Sequence, residues 1–325
     1  MSAPAEVDGL DDGPLGRLAL SRSTVDRATQ RRTDTAWIEA AWADPRSRVI
    51  VVSKSQALIA EADGRPELVF VPPADAPAGT RFFLGLDADE VAYFGVSATV
   101  EGGAWDRSSE SDVKPASLRV VGALLSDRDA GLLTHAVALA NWHETHTHCP
   151  QCGAATVPAP AGHLTMCPVD GTEHFPRLDP AVIMLVIDTD GRLLLARNAL
   201  WPKGRVSVVA GFVEPGESAE HAVAREVFEE TAITVGQVRY LGSQPWPMPR
   251  SLMLGYQAMA KSGQSIAVDE DEIGEARWYT RAELRAAIDA GELGIAPSSS
   301  IARRLIEYWY GAELPDGPAW TAPGR

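Results

Sequence analysis

Short apolar or alternating runs at residues 47–60, 67–72, 81–86 and 91–99, set apart by Gly, Pro and Asp, predict a small β-rich unit. Ser126 then reads as a helix N-cap with Asp129 three residues on. Leu132, Leu133, Ala136, Val137 and Ala140 recur at the helical period as far as about Trp142. Residues 181–187, Ala-Val-Ile-Met-Leu-Val-Ile, form a continuous apolar run of strand length and branching. An Asp-Thr-Asp-Gly turn at 188–191 leads from it into a second strand at 192–197. Ser218 is the expected N-cap of about three turns of helix, and residues 299–310 predict an amphipathic helix with an aromatic end, suited to packing against another domain or subunit.

The chain has 325 residues, about twice a usual single-domain length, so two domains with a small insert are expected. The pattern divides it into a flexible N-terminus over 1–20, an N-terminal α+β domain over 21–145, a short insert over 146–178, a second domain over 179–312 and a flexible tail over 313–325. A composition 45% hydrophobic and 22% charged excludes a wholly disordered chain or a disulfide scaffold. The net charge of −15 argues against a surface built for non-specific binding of nucleic acid or anionic membrane. An anionic ligand must therefore be met locally, by a metal or by a few placed cations. The first 16 residues are acidic and rich in Gly and Pro, unlike a signal peptide, and the longest apolar run is too short to span a bilayer. A cytoplasmic protein with no membrane partner is expected.

All three cysteines, Cys149, Cys152 and Cys167, fall in one window, which is poor disulfide material and good metal material. Cys-Pro-Gln-Cys-Gly places two thiolates on one tight knuckle, and a second knuckle about 15 residues on is the spacing of a zinc ribbon. That second knuckle reads Cys-Pro-Val-Asp, so Asp170 stands where a fourth cysteine would be, with Glu173 and His174 close behind as other donors. A structural Zn²⁺ fits this donor set, weakened by the single carboxylate; a degenerate ribbon held by packing is the alternative. His143, His146 and His148 lack the four-residue spacing that two zinc-binding histidines on one helix need, and read as polar residues at a helix end.

The segment that carries chemistry runs from Gly211 to Ile233. A loop rich in Gly and Pro gives way at Ser218 to a helix on which Glu226, Glu229 and Glu230 project from one face. Like charges so close repel, and a divalent cation with oxygen ligands answers that need, Mg²⁺ or Mn²⁺ by ligand type. Taken alone, such a run is also common on solvated helix faces. Glu217, just before the helix, and the freedom of Gly211 and Gly216 let the loop fold back toward the helical carboxylates.

Loop, helix and carboxylates at these spacings resemble the Nudix box, G-x5-E-x7-R-E-U-x-E-E-x-G-U with U a bulky apolar residue. The matching positions are Gly211, Glu217, Arg225, Glu226, Val227, Glu229, Glu230 and Ile233; Ala232 replaces the last glycine. If that glycine is a left-handed helix cap, alanine costs about 1 kcal/mol and activity is retained. A second segment, Ser243-Gln-Pro-Trp-Pro-Met-Pro-Arg-Ser251, resembles the S-Q-P-W-P-F-P-x-S signature of NADH pyrophosphatases, a Nudix subfamily that carries a zinc ribbon directly before its Nudix domain. The resemblance covers about residues 140–310. It implies an α+β chain: a Nudix α/β/α sandwich with a mixed sheet, preceded by a zinc-ribbon-like insert and a β-rich N-terminal domain.

The resemblance implies metal-dependent hydrolysis of the pyrophosphate bond of NADH or NAD⁺ to nicotinamide mononucleotide and AMP, and as a secondary activity removal of NAD caps from RNA 5′ ends. Position by position, it gives the Ala210 carbonyl and the Glu226, Glu230 and Glu272 side chains to two or three Mg²⁺ or Mn²⁺ ions. Glu226, Glu229 and Glu230 would be catalytic, and Glu272 is preferred over Glu275 as the distal ligand. Phe175 and Phe212 would sandwich the nicotinamide. Gln244, Pro245, Trp246, Pro247, Met248, Pro249, Arg250, Ser251 and the backbone near Ala302 would complete the nucleotide site, and a homodimer is implied. On the residues alone, core packing is the competing fate of Phe175, Phe212 and Trp246. Three rival functions stand beside this one: a Nudix hydrolase for ADP-ribose or dinucleoside polyphosphates, a non-catalytic nucleotide sensor, and a zinc-ribbon nucleic-acid binder. The intact carboxylates argue against the sensor. The absence of Lys and Arg from residues 149–175 argues against the binder.

Overall fold

The computed structural model describes residues 13–98 and 112–315. Most of the flexible N-terminus and tail expected at 1–20 and 313–325 lies outside the described residues, as does the last residue of the run 91–99. The described chain forms two compact units. One comprises Leu20–Leu178 with Pro245–Ser251; the other comprises Asp179–Gln244 and the chain from Leu252 on, with residues 13–19.

In the second unit, the strands Val235–Trp246, Ser251–Ala260, Asp179–Ile187, Leu193–Asn198 and Ile273–Tyr279 lie side by side in that order. Val209–Phe212 also pairs antiparallel with Asp179–Ile187, setting Gly211 against Val182 and Ala210 against Ile183. Successive residues of a strand face opposite sides. Val182, Met184 and Val186 accordingly join Ala222, Val223 and Val227 of the helix Ala219–Thr231 in one core. Ile183 and Leu185 join Leu284 and Ile288 of the helix Arg281–Asp289 and Leu305, Ile306 and Trp309 of the helix Ile301–Tyr310 in the other. A strand covered on both faces has no polar face to alternate with, which explains the unbroken apolar run at 181–187. The layering is α/β/α, as the resemblance implies.

Leu15 and Leu18 are buried in the second of these cores, and the Arg304 guanidinium donates to the Leu15 carbonyl at 2.9 Å. The segment from residue 13 on is therefore anchored, where the sequence led us to expect a flexible end through residue 20. Two leucines in a short loop carry no periodic signal to announce their burial.

The first unit holds two small three-stranded sheets. Arg48–Val52 runs parallel to Ala92–Ser97, which pairs antiparallel with Thr80–Leu86; Gln56–Ala62 lies between Arg65–Leu68 and Val113–Ser117. The helix Asp127–Thr145 covers them, packing Leu132, Leu133, Ala136, Val137 and Ala140 on Ile50, Val52, Phe82 and Leu84. Ser126 caps it, its hydroxyl accepting from the Asp129 N–H at 3.2 Å. The run at 47–60 folds as two strands, separated at Lys54 and Ser55. Both adopt left-handed backbone, with φ of 48° and 62°, and turn the chain into a hairpin. Two non-glycine residues there give no turn signal in the sequence. Val113–Ser117 is an edge strand with an internal Pro115, a position where a sheet tolerates proline.

Candidate active site and ribbon metal centre

The helix Ala219–Thr231 begins at Ser218, whose hydroxyl accepts from the His221 N–H at 3.2 Å, and ends at Ala232 in left-handed conformation with φ of 57°. Glycine would adopt that cap without steric cost. The helix brings Glu226 against the strand Val209–Phe212 so closely that a β-carbon on Gly211 would collide with the Glu226 carboxylate. A side chain at 211 would therefore have to displace that carboxylate, the flexible end of Glu226, from its present place.

Arg225 organises the acids. Its guanidinium donates to both Glu217 oxygens at 2.9 and 2.8 Å, to Glu226 at 2.8 Å, to Glu229 at 2.9 Å and to the Phe212 carbonyl at 2.9 Å. This pairing, helped by the Glu214 backbone N–H, holds Glu217 down to about 2. Glu230 is left outside the network. It is 7% exposed, and its carboxylate has no hydrogen bond or ion pair among the described residues. Burial, then repulsion from Glu226, Glu272 and Glu229, pushes it up to about 8. Burial also raises Glu226, against the pull of Arg225. Glu272, next to the strand Ile273–Tyr279, contributes to the repulsion at both, whereas Glu275 is not among the groups that act on them. A buried carboxylate among like charges and without a protein cation is the electrostatic counterpart of a divalent-ion site, and the oxygen-only donors suit Mg²⁺ or Mn²⁺.

In the ribbon, Cys149, Cys152, Cys167 and Asp170 bring their donor atoms within 4.8 Å of one another. Among the described residues no other set of three or more Cys, His or carboxylate side chains converges in this way. The Cys152 and Cys167 sulfurs are 3.4 Å apart, and Cys149 Sγ lies 3.5 Å from Asp170 Oδ2. Ligands at about 2.0–2.3 Å from a tetrahedral zinc stand about 3.5 Å from each other, so the set fits the ion. The two knuckles are copies in backbone terms. Gly153 N–H donates to the Cys149 carbonyl at 2.9 Å and Gly171 N–H to the Cys167 carbonyl at 3.0 Å, and both glycines have φ of 74°. Asp170 therefore occupies in the second knuckle the place of Cys152 in the first. The Thr172 backbone N–H and the Cys167 thiol hold its carboxyl below the usual range, as a charged donor requires. Glu173 and His174 follow on a ribbon strand and are not part of the set.

Comparison with known proteins agrees with this geometry. Residues 177–298 match the NUDIX domain, residues 46–142 the NADH pyrophosphatase-like rudimentary NUDIX domain, and residues 144–175 the NADH pyrophosphatase zinc ribbon domain. The chain is 40% identical over 317 residues to the NAD-capped RNA hydrolase NudC of Mycobacterium bovis, covering 94% of this chain and 99% of that one. The chain belongs to the NADH pyrophosphatase group of Nudix hydrolases. The Mycobacterium tuberculosis NudC is equally similar, at 40% identity over the same shares. The human NAD-capped RNA hydrolase NUDT12 is 41% identical over 197 residues, covering 57% of this chain and 42% of that one. The chain is accordingly an enzyme, and no helix among its described residues is long and apolar enough to cross a membrane.

The other expected residues of this Nudix hydrolase fall as follows. Phe212, directly after the box glycine, is 59% exposed, and Phe175 at the ribbon's end is 64% exposed, so neither is a core residue. Trp246 and Met248 instead pack against the core of the first unit. Gln244 is fully buried and donates to the Ser299 carbonyl at 3.0 Å, just before the helix on which Ala302 is buried in the first turn. Two roles went unread in the sequence. The sequence shows Arg225 only as a position of the box, yet its guanidinium joins three carboxylates and a carbonyl; its fixed place in the box is the signal that could have found this. Asn141 donates to the carbonyls of Pro247 and Pro249, contacts that nothing in the sequence announces.

Proposed function

We propose that this enzyme hydrolyses the diphosphate bridge of NADH and NAD⁺ to nicotinamide mononucleotide and AMP, and removes the NAD cap from RNA 5′ ends. The observation that carries the reading is a full-length likeness to NAD-capped RNA hydrolases in a chain whose buried Glu230 lacks a protein partner. Glu226, Glu230 and Glu272, with the Ala210 carbonyl, would hold Mg²⁺ or Mn²⁺. The bound ions supply charge neutralisation on the diphosphate and a more acidic water. Arg225 fixes Glu217, Glu226 and Glu229 in place, so the acids are oriented before substrate arrives. Phe212 offers an exposed ring for stacking beside the box strand, and Phe175 offers another from the ribbon. Cys149, Cys152, Cys167 and Asp170 would hold a structural zinc. The reading includes a homodimer in the cytoplasm, which sedimentation and fractionation test.

Incubation with NADH, NAD⁺, ADP-ribose and a dinucleoside polyphosphate under Mg²⁺ and under Mn²⁺, with separation of products, tests the substrate class. A 5′-NAD oligoribonucleotide tests cap removal. The reading expects nicotinamide mononucleotide and AMP from the nicotinamide dinucleotides, and a monophosphate 5′ end from the capped RNA. Cleavage of ADP-ribose alone, or of nothing, overturns it.

A further inference from the structure

Resting on that reading, we propose that Asn141 is a positioning residue: the rudimentary NUDIX-like domain, through Asn141, Ser55 and Arg119, holds the segment Pro245–Ser251 in the shape that admits the dinucleotide. The segment leaves the catalytic sheet by the strand Val235–Trp246 and re-enters it by Ser251–Ala260, yet it is part of the first compact unit. Three elements converge on it. The Asn141 amide, on the helix Asp127–Thr145, donates to the Pro247 carbonyl at 2.6 Å and the Pro249 carbonyl at 3.3 Å. Proline-rich backbone has few N–H groups, so its carbonyls cannot be satisfied by a regular ladder and depend on an outside donor.

Ser55 Oγ also lies against this amide, 3.2 Å from its nitrogen and 3.5 Å from its oxygen. Ser55 is one of the two left-handed, non-glycine residues of the hairpin turn, a costly backbone for a β-carbon-bearing residue. Its carbonyl accepts from the Leu118 N–H at 3.1 Å, which starts the short helix Leu118–Val121. Arg119 of that helix lies over the Trp246 ring, its guanidinium carbon 5.4 Å from the ring centroid. Turn, short helix and long helix thus form one cradle, and Trp246 and Met248 complete it by packing on the domain's core. A domain without the box would in this way act on specificity, by fixing a loop that joins two strands of the catalytic sheet along the chain.

The test is the isosteric Asn141→Asp, which removes the donor and sets a carboxylate against two carbonyls, with Ser55→Ala as a milder second variant. Steady-state kinetics on NADH separate the roles. Loss of positioning raises KM by about fivefold or more with kcat within about twofold, whereas general destabilisation lowers the active fraction and hence kcat. Hydrogen exchange at Trp246, Met248 and Arg250 should accelerate in Asn141→Asp while that of residues 182–186 stays unchanged. A KM within about twofold of wild type, or loop exchange at the wild-type rate, overturns the proposal. Failure of the wild-type enzyme to cleave NADH would sink the functional reading instead, and the exchange measurement would still decide whether Asn141 fixes the loop.

Discussion

The carboxylate of Glu226 occupies the space a side chain on Gly211 would need. The absence of a side chain at one position thereby makes room for the carboxylate of another 15 positions later. Gly211→Ala should push Glu226 away from Arg225 and lower kcat by about a hundredfold or more, with a much smaller effect on melting temperature, since the strand Val209–Phe212 tolerates alanine. Kinetics and thermal denaturation of the variant check this; near-normal turnover would show that Glu226 need not sit there.

Glu230 makes the apo protein sensitive to pH. Its carboxyl stands at about 8 in the folded chain against 4.5 for an ordinary glutamate, so between these values the folded state keeps a proton that the unfolded state releases. The stabilising effect is complete below about 4.5 and is lost as pH rises through about 8, an amount on the order of a few kcal/mol. Chemical denaturation of metal-free protein at several pH values should show wild type losing stability relative to Glu230→Gln across this window. Saturating Mg²⁺ should reverse the trend by drawing the proton off. The same variant should fold yet lose turnover by more than about a hundredfold; equal pH slopes in the two proteins would contradict the account.

Ala232 ends the box helix with a positive φ that glycine adopts without penalty. Ala232→Gly should raise stability by about 1 kcal/mol and leave kcat unchanged, because no carboxylate moves. Thermal melts of the two proteins under identical metal concentration are sufficient, and a lower melting temperature would refute it.

Asp170 stands where the first knuckle has Cys152, so Asp170→Cys should tighten zinc and Asp170→Ala should weaken it by about tenfold or more. Substitution by Co²⁺ gives a direct readout. Thiolate-to-metal absorption should be stronger for Asp170→Cys than for wild type, in line with four sulfur ligands against three. Identical spectra would remove Asp170 from the metal.

What could be read from the sequence was local. The box helix with its Ser218 cap, the buried strand at 181–187 and the cysteine knuckles each depend on residues within a few positions of one another, where spacing translates directly into geometry. The hairpin at Lys54 and Ser55 was missed because neither residue type favours left-handed backbone, and the edge strand Val113–Ser117 because its internal proline reads as a break. The contacts of Asn141 with Pro247 and Pro249 span 106 and 108 positions and rest on a single amide. Spacing rules have no purchase at that range. Glu230's isolation was equally hidden, since the sequence shows which acids share a helix face but not which of them an arginine will claim.

The strand Asp179–Ile187 serves two oily layers at once, with odd and even positions assigned to different helices. A single residue inserted between Val182 and Val186 would exchange those assignments from that point on, sending aliphatic groups shaped for one layer into the other. Point changes among valine, isoleucine and leucine should therefore be borne far better along this strand than any change of frame, and indels should be accepted at the Asp188–Gly191 turn instead.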